Sequence, residues 1–145
     1  MNNNNKRIII ATGGTGGHVF PAYSLAKHFL ADKVNVELIS DKRGMKYLKN
    51  YRDLKITQIT STTILKNNIF QLLFSSLIIF YSIFRSFIFL LFNRPNLVFG
   101  MGGYSSFPVC VAAKMLKIPF IIYENNLHIG KANKYLLPYA KKIFV

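Results

Sequence analysis

The stretch IIIATGGTGGHVFPAYSLAKHF, Ile8 to Phe29, runs from a strand through a turn nearly bare of side chains into a helix. Three β-branched residues, Ile8, Ile9 and Ile10, lead into Thr12, and Gly13, Gly14, Gly16 and Gly17 then strip the turn. Pro21 and the spacing of Val19, Leu25, Ala26 and Phe29 place apolar positions on one side of a helix. Glycines at such a turn permit positive φ and let another molecule approach the backbone. The helix N-terminus behind them carries unpaired N–H groups and a partial positive charge, which suits a phosphate. The expected ligand is therefore an anion.

Working outward, Val34 to Ser40, Lys55 to Thr60, Asn96 to Met101, Pro119 to Glu124 and Lys141 to Val145 read as further strands. Helical patterns cover Val19 to Ala31, Ile69 to Phe92, Ser105 to Leu116 and Ile129 to Leu137. Alternating strands and helices, with strands that are apolar almost throughout, predict a parallel sheet covered on both faces. The fold class is α/β, a Rossmann-like doubly wound parallel sheet. At 145 residues this is one domain, residues 7–145, preceded by a disordered tail at 1–6 that contains the Asn2 to Asn5 run.

The formal net charge of +14 favours an anionic partner without choosing one. Nucleic acid is disfavoured: there is no zinc-ligand spacing, no basic-region heptad and no RRM-like aromatic signature, and the basic residues are scattered. The single cysteine, Cys110, lies in an apolar segment, which fits a reducing compartment, and the polar N-terminus MNNNNKR lacks the apolar region of a secretory signal. No metal is expected, because no His, Asp and Glu cluster has ligand spacing.

In open α/β sheets ligands bind beyond the carboxyl ends of the strands, where the strand order reverses. Two more strand ends here carry suitable chemistry: GMGGYSSFP, Gly100 to Pro108, and YENN, Tyr123 to Asn126. The dinucleotide fingerprint G-x-G-x-x-G is incomplete, since Val19 stands at its third glycine, although Asp41 lies where a ribose-binding acid would be. A nucleotide-binding oxidoreductase domain therefore stays an alternative, whereas a P-loop is excluded because no Lys-Ser or Lys-Thr follows the glycines.

GGTGGHVFPA, GMGGYSSFPVCVAA, IPFIIYENN and GKANKYL together carry a resemblance. In order and approximate spacing they resemble the N-terminal domain of the MurG family, glycosyltransferase family 28, the N-acetylglucosaminyltransferases of bacterial peptidoglycan synthesis. The resemblance covers essentially the whole chain, but the family enzyme has two domains and this sequence matches only most of the first. It implies the N-terminal, acceptor-binding half of a GT-B fold, incomplete at its C-terminus and without the donor-binding C-terminal domain. It also implies an inverting transfer of GlcNAc from UDP-GlcNAc to the 4-hydroxyl of MurNAc in undecaprenyl-pyrophosphoryl-MurNAc-pentapeptide (lipid I), with no required metal or other cofactor.

Site residues follow from the matched positions. Gly13 to Gly17 and Gly102 with Gly103 would cradle the lipid-linked pyrophosphate. Thr15, Gly16, Gly17 and Asn126 match positions that contact the donor or the reacting sugars. His18 is the candidate general base, since a neutral imidazole suits proton removal from the attacking hydroxyl; its other reading is a ring that caps the helix or orders the loop. Tyr104 would bind sugar or pyrophosphate, and Ser105 and Ser106 would donate to phosphate from a helix start. Glu124, the acid among these strand ends, would orient a sugar hydroxyl or His18, or else pair with a lysine. His28 and His128 are read as structural.

The segment Ile69 to Phe92 is long and apolar enough to cross a membrane. At 100° per residue, however, Gln71, Ser75, Ser82, Arg85 and Ser86 share one stripe, and the segment fills the crossover between the third and fourth strands. Its remaining apolar surface must meet something beyond the sheet. Similar enzymes rest such a patch on the membrane, so a peripheral protein on the cytoplasmic face of the bacterial inner membrane is expected, with a small integral membrane protein as the alternative. Lys66, Arg94, Lys134, Lys141 and Lys142 would add attraction to anionic lipid.

Overall fold

Six short runs of β-branched and aromatic residues form the strands, and the amphipathic runs between them form the helices. The computed structural model describes residues 6–51, 53–61, 68–126 and 128–145. In chain order they are β1 (Arg7–Ala11), α1 (Gly16–Ala31), β2 (Asn35–Ser40), α2 (Met45–Leu48), β3 (Lys55–Gln58), α3 (Ile69–Phe92), β4 (Leu97–Gly100), α4 (Ser106–Met115), β5 (Phe120–Tyr123), α5 (Lys131–Leu136), a 3-10 turn (Leu137–Tyr139) and β6 (Lys142–Phe144). Residues 1–5 of the expected tail, and Lys66, lie outside the described residues.

The six strands are parallel and ordered β3-β2-β1-β4-β5-β6. The chain starts in the middle, winds outward to β3, crosses back over α3 to lay β4 beside β1, and winds outward again. The strand order therefore reverses between β1 and β4, which opens a crevice at their carboxyl ends. The crossovers divide the helices between the two faces: α1 and α2 pack on one, over Ile8, Ile10, Val36 and Leu38. Helices α3, α4 and α5 pack on the other, over Ile9, Val98, Phe120 and Ile122. Cys110 is sealed in that second layer, and burial pushes its thiol up to about 12, which leaves it un-ionised and inert.

Glu37, in the middle of β2, departs from the apolar pattern. It is fully buried, takes 2.7 and 3.1 Å ion pairs from Arg7 and Lys55, and accepts the Thr57 hydroxyl at 2.6 Å. An acid is tolerated there because a charge leaves water at bearable cost only when paired and hydrogen-bonded.

Helix α3 is turned opposite to the usual arrangement. Ser75, Ser82, Ser86 and Leu90 are its buried residues, and the Ser82 hydroxyl donates to the Thr60 carbonyl. Small inward side chains let the helix lie close on α4 and the sheet. Phe70, Phe74, Leu77, Phe80 and Phe84 point to solvent, each more than 60% exposed. Arg85 does not follow the serines inward; it is exposed. A second uncovered apolar surface is a groove of about 770 Å³ between α1 and β4 to β6, lined by Pro21, Leu25, Phe99, Tyr123 and Phe144 among others.

Candidate active site

Three loops leave the carboxyl ends of β1, β4 and β5, and they meet. Thr15, in extended backbone, precedes α1 and makes no side-chain cap. Its carbonyl accepts the N–H of His18 at 3.1 Å and of Val19 at 3.2 Å. The N–H groups of Gly16 and Gly17 come earlier in the first turn, where no helical carbonyl precedes them, so they face the crevice end of the helix. Helix α4 starts beside it, behind Gly102, Gly103 and Tyr104. Two helix N-termini thus flank the point where the strand order reverses, and both favour negative charge.

The two glycine loops touch. A Cβ on Gly103, whose φ is +79°, would lie 2.3 Å from the Gly13 carbonyl oxygen, and one on Gly102, at φ +85°, would lie 2.7 Å from His18 Nδ1. Only glycine satisfies both the backbone angle and the contact. The His18 ring therefore rests on the second loop at the junction of the two, with Nδ1 buried and unpartnered. Ser105 locks the junction from beneath: fully buried, it donates to the Thr12 carbonyl at 2.8 Å. Ser106 likewise donates to the Gly103 carbonyl at 2.9 Å. The expectation is that both hydroxyls meet phosphate; instead the Ser105 proton ties the second loop to the first, and the Ser106 proton stays within its own loop. Tyr104 remains half exposed at the rim, free of that framework.

The third loop reaches the first through a residue the sequence reading passed over. Asn125, not Asn126, bonds across, its Nδ2 donating to the Gly17 carbonyl at 2.8 Å. Glu124 is buried and accepts from four donors of the following loop and α5: the Asn126 N–H and side chain, the Gly130 N–H and the Asn133 side chain, at 2.6–3.2 Å. Burial alone would raise its pKa, but the Gly130, Asn133 and Asn126 hydrogen bonds outweigh it and hold the carboxyl below the usual range. Its oxygens are thus directed to neither His18 nor a lysine; Glu124 builds the loop that carries Asn125 and Asn126. His28 and His128 are exposed and away from these contacts, His28 lining the groove beside α1.

Asp41, weighed as a ribose-binding acid, has another task. One carboxylate oxygen, Oδ1, accepts the N–H groups of Gly14 at 3.1 Å and Gly44 at 2.7 Å, while Oδ2 accepts the Ser61 hydroxyl at 2.9 Å. Burial again opposes ionisation, and the Gly44, Gly14 and Ser61 hydrogen bonds with nearby Arg43 reverse it, leaving the pKa lowered. A carboxylate so engaged clamps the glycine turn and does not read a ribose. Among the described residues no group of His, Cys, Asp and Glu gathers that could hold a metal ion.

What the arrangement offers is a floor of glycine backbone and helix N-termini, which favour negative charge, one imidazole at its centre, and an asparagine and a tyrosine at its rim. Comparison with known proteins gives the family. A curated relative from Pelagibacter ubique, UDP-N-acetylglucosamine--N-acetylmuramyl-(pentapeptide) pyrophosphoryl-undecaprenol N-acetylglucosamine transferase, is 38% identical over 141 residues, 97% of this chain and 38% of the relative. A relative of the same name from Francisella tularensis is 36% identical over 143 residues, 99% of this chain and 38% of that one. The chain thus spans 38% of the length of these relatives. The crystal structure of MurG from Acinetobacter baumannii superposes with a TM-score of 0.82 at 29% identity, over 95% of this chain and 40% of that one. The model of the glycosyltransferase family 28 N-terminal domain matches residues 8–145, the whole sheet and all three loops, and the chain belongs to that family.

Proposed function

We propose that this chain is the acceptor-binding half of a peptidoglycan N-acetylglucosaminyltransferase, which moves GlcNAc from UDP-GlcNAc to lipid I with inversion and without a required metal. The observation that carries the reading is the seating of His18 on Gly102, between two glycine loops that each end at a helix N-terminus. The loops and helix ends suit a lipid-linked pyrophosphate. The imidazole is the base available to take the proton of the attacking 4-hydroxyl, which lies across the sugar ring from that pyrophosphate, and Asn126 and Tyr104 at the rim suit sugar hydroxyls. Uridine and diphosphate contacts belong to the part of the family's enzymes that these 145 residues do not match, so the chain is inactive without that part.

The protein sits on the cytoplasmic face of the inner membrane. Support comes from the outward apolar ridge of α3, whose inward serines keep the helix docked on α4 and so favour lying on the bilayer over crossing it.

The reading is tested by His18→Ala in the enzyme completed with the remaining two-domain length. A general base acts on the transition state, so turnover falls roughly a hundredfold or more while acceptor binding stays within about twofold. Weakened binding with unchanged turnover would make His18 a loop-shaping residue only.

A further inference from the structure

The anion-binding floor has a charge deficit. A helix N-terminus supplies only about half an elementary charge, whereas a pyrophosphate diester carries more than one negative charge and Asp41 adds another beneath the same turn. A cation is called for, and Arg43 is placed to supply it. Its Nη2 lies 3.5 Å from where a Cβ on Gly14 would stand, so the guanidinium lies over the glycine turn. Its Nε is 3.9 Å from Asp41 Oδ2, which orients the side chain by charge at a distance too long for a hydrogen bond. The side chain is 56% exposed, and its planar fork of N–H donors lies over a turn whose own donors are backbone N–H groups.

We propose that Arg43, oriented over Gly14 by Asp41, binds the pyrophosphate of the lipid-linked acceptor. This rests on the acceptor-site reading above. It adds a side-chain contact from the turn after β2, outside the three loops. A diphosphate also occurs in the nucleotide-sugar donor, and the test separates the two sources.

Farnesyl pyrophosphate and UDP-GlcNAc are titrated separately into the intact chain, into Arg43→Gln, and into Lys42→Gln, which removes the same charge from the exposed neighbouring position. Arg43→Gln is expected to weaken farnesyl pyrophosphate about tenfold or more and to flatten its salt dependence, as loss of a charge-assisted hydrogen bond should. Lys42→Gln is expected to change it less than about twofold, because a solvated charge is largely screened. Equal effects of the two substitutions, or no effect of either, would overturn the proposal, as would weakening of UDP-GlcNAc binding alone. Failure of the unsubstituted chain to bind farnesyl pyrophosphate would overturn the acceptor-site reading itself, and the Arg43 assignment with it.

Discussion

Asp41 and Glu124 perform parallel work at two strand ends: each is a buried carboxylate whose oxygens are consumed by N–H or O–H donors of surrounding segments that it holds together. Removing such an acceptor strands buried amides, at about 1–3 kcal/mol for each. Asp41→Ala should therefore lower the unfolding free energy by about 2 kcal/mol or more in urea titration at neutral pH. Asp41→Asn should recover most of the loss, since Gly14 and Gly44 both bond the single oxygen Oδ1 that an amide keeps. Equal loss in both variants would mean that the charge, not the acceptor, matters. Both acids have depressed pKa values in the fold, so their contribution is present above the unfolded carboxylate values near about 4 and is lost as pH falls through the lower folded values. The acid branch of the stability curve should accordingly be flatter in Glu124→Gln. The sequence announces these residues as acids after strands but not what they hold, because their partners include backbone amides up to 27 residues away, which no spacing rule encodes.

Most elements could be read from the sequence, and the departures have local causes. The pattern places α3 at Ile69–Phe92, as observed. Helix α1 begins at Gly16 and not Val19, because glycines at the first turn leave no mark in an apolar periodicity although the backbone is already helical. Helix α2, four residues long, is too short to show a period at all. The orientation of α3 was also hidden: a stripe of serines suggests a solvent face by polarity, yet small size decides, and the serines turn inward so that the helix can approach its neighbours closely. Phe87 packs on the core, so the outward ridge is tested at Phe80 and Phe84, which are 71% and 62% exposed. Full burial of each ring in a bilayer is worth about 1.5–3 kcal/mol, so Phe80→Ser with Phe84→Ser should weaken sedimentation with anionic vesicles by at least about tenfold. The urea midpoint should stay where it is. Unaltered sedimentation would move the membrane contact elsewhere.

The molecule as a whole is one parallel sheet whose carboxyl edge is chemically equipped and whose two sides differ. The serine-lined back of α3 closes one layer, while the groove between α1 and β4 to β6 leaves the other partly open. The doubly wound topology was readable because short apolar strands alternate with helices of helical period; the meeting of the loops was not, because it depends on β4 returning beside β1 from across the sheet. On the proposed function that return brings together the loops of an acceptor crevice within this one sheet, so acceptor recognition is expected from these residues and donor recognition is not. The measurement that tests this most directly is a pair of calorimetric titrations of the 145-residue chain, one with a soluble short-chain analogue of lipid I and one with UDP-GlcNAc. Saturable binding of the acceptor analogue, abolished by excess inorganic pyrophosphate, and no saturable heat with UDP-GlcNAc are the expected results. Tight binding of UDP-GlcNAc with none of the acceptor analogue would contradict the proposed function.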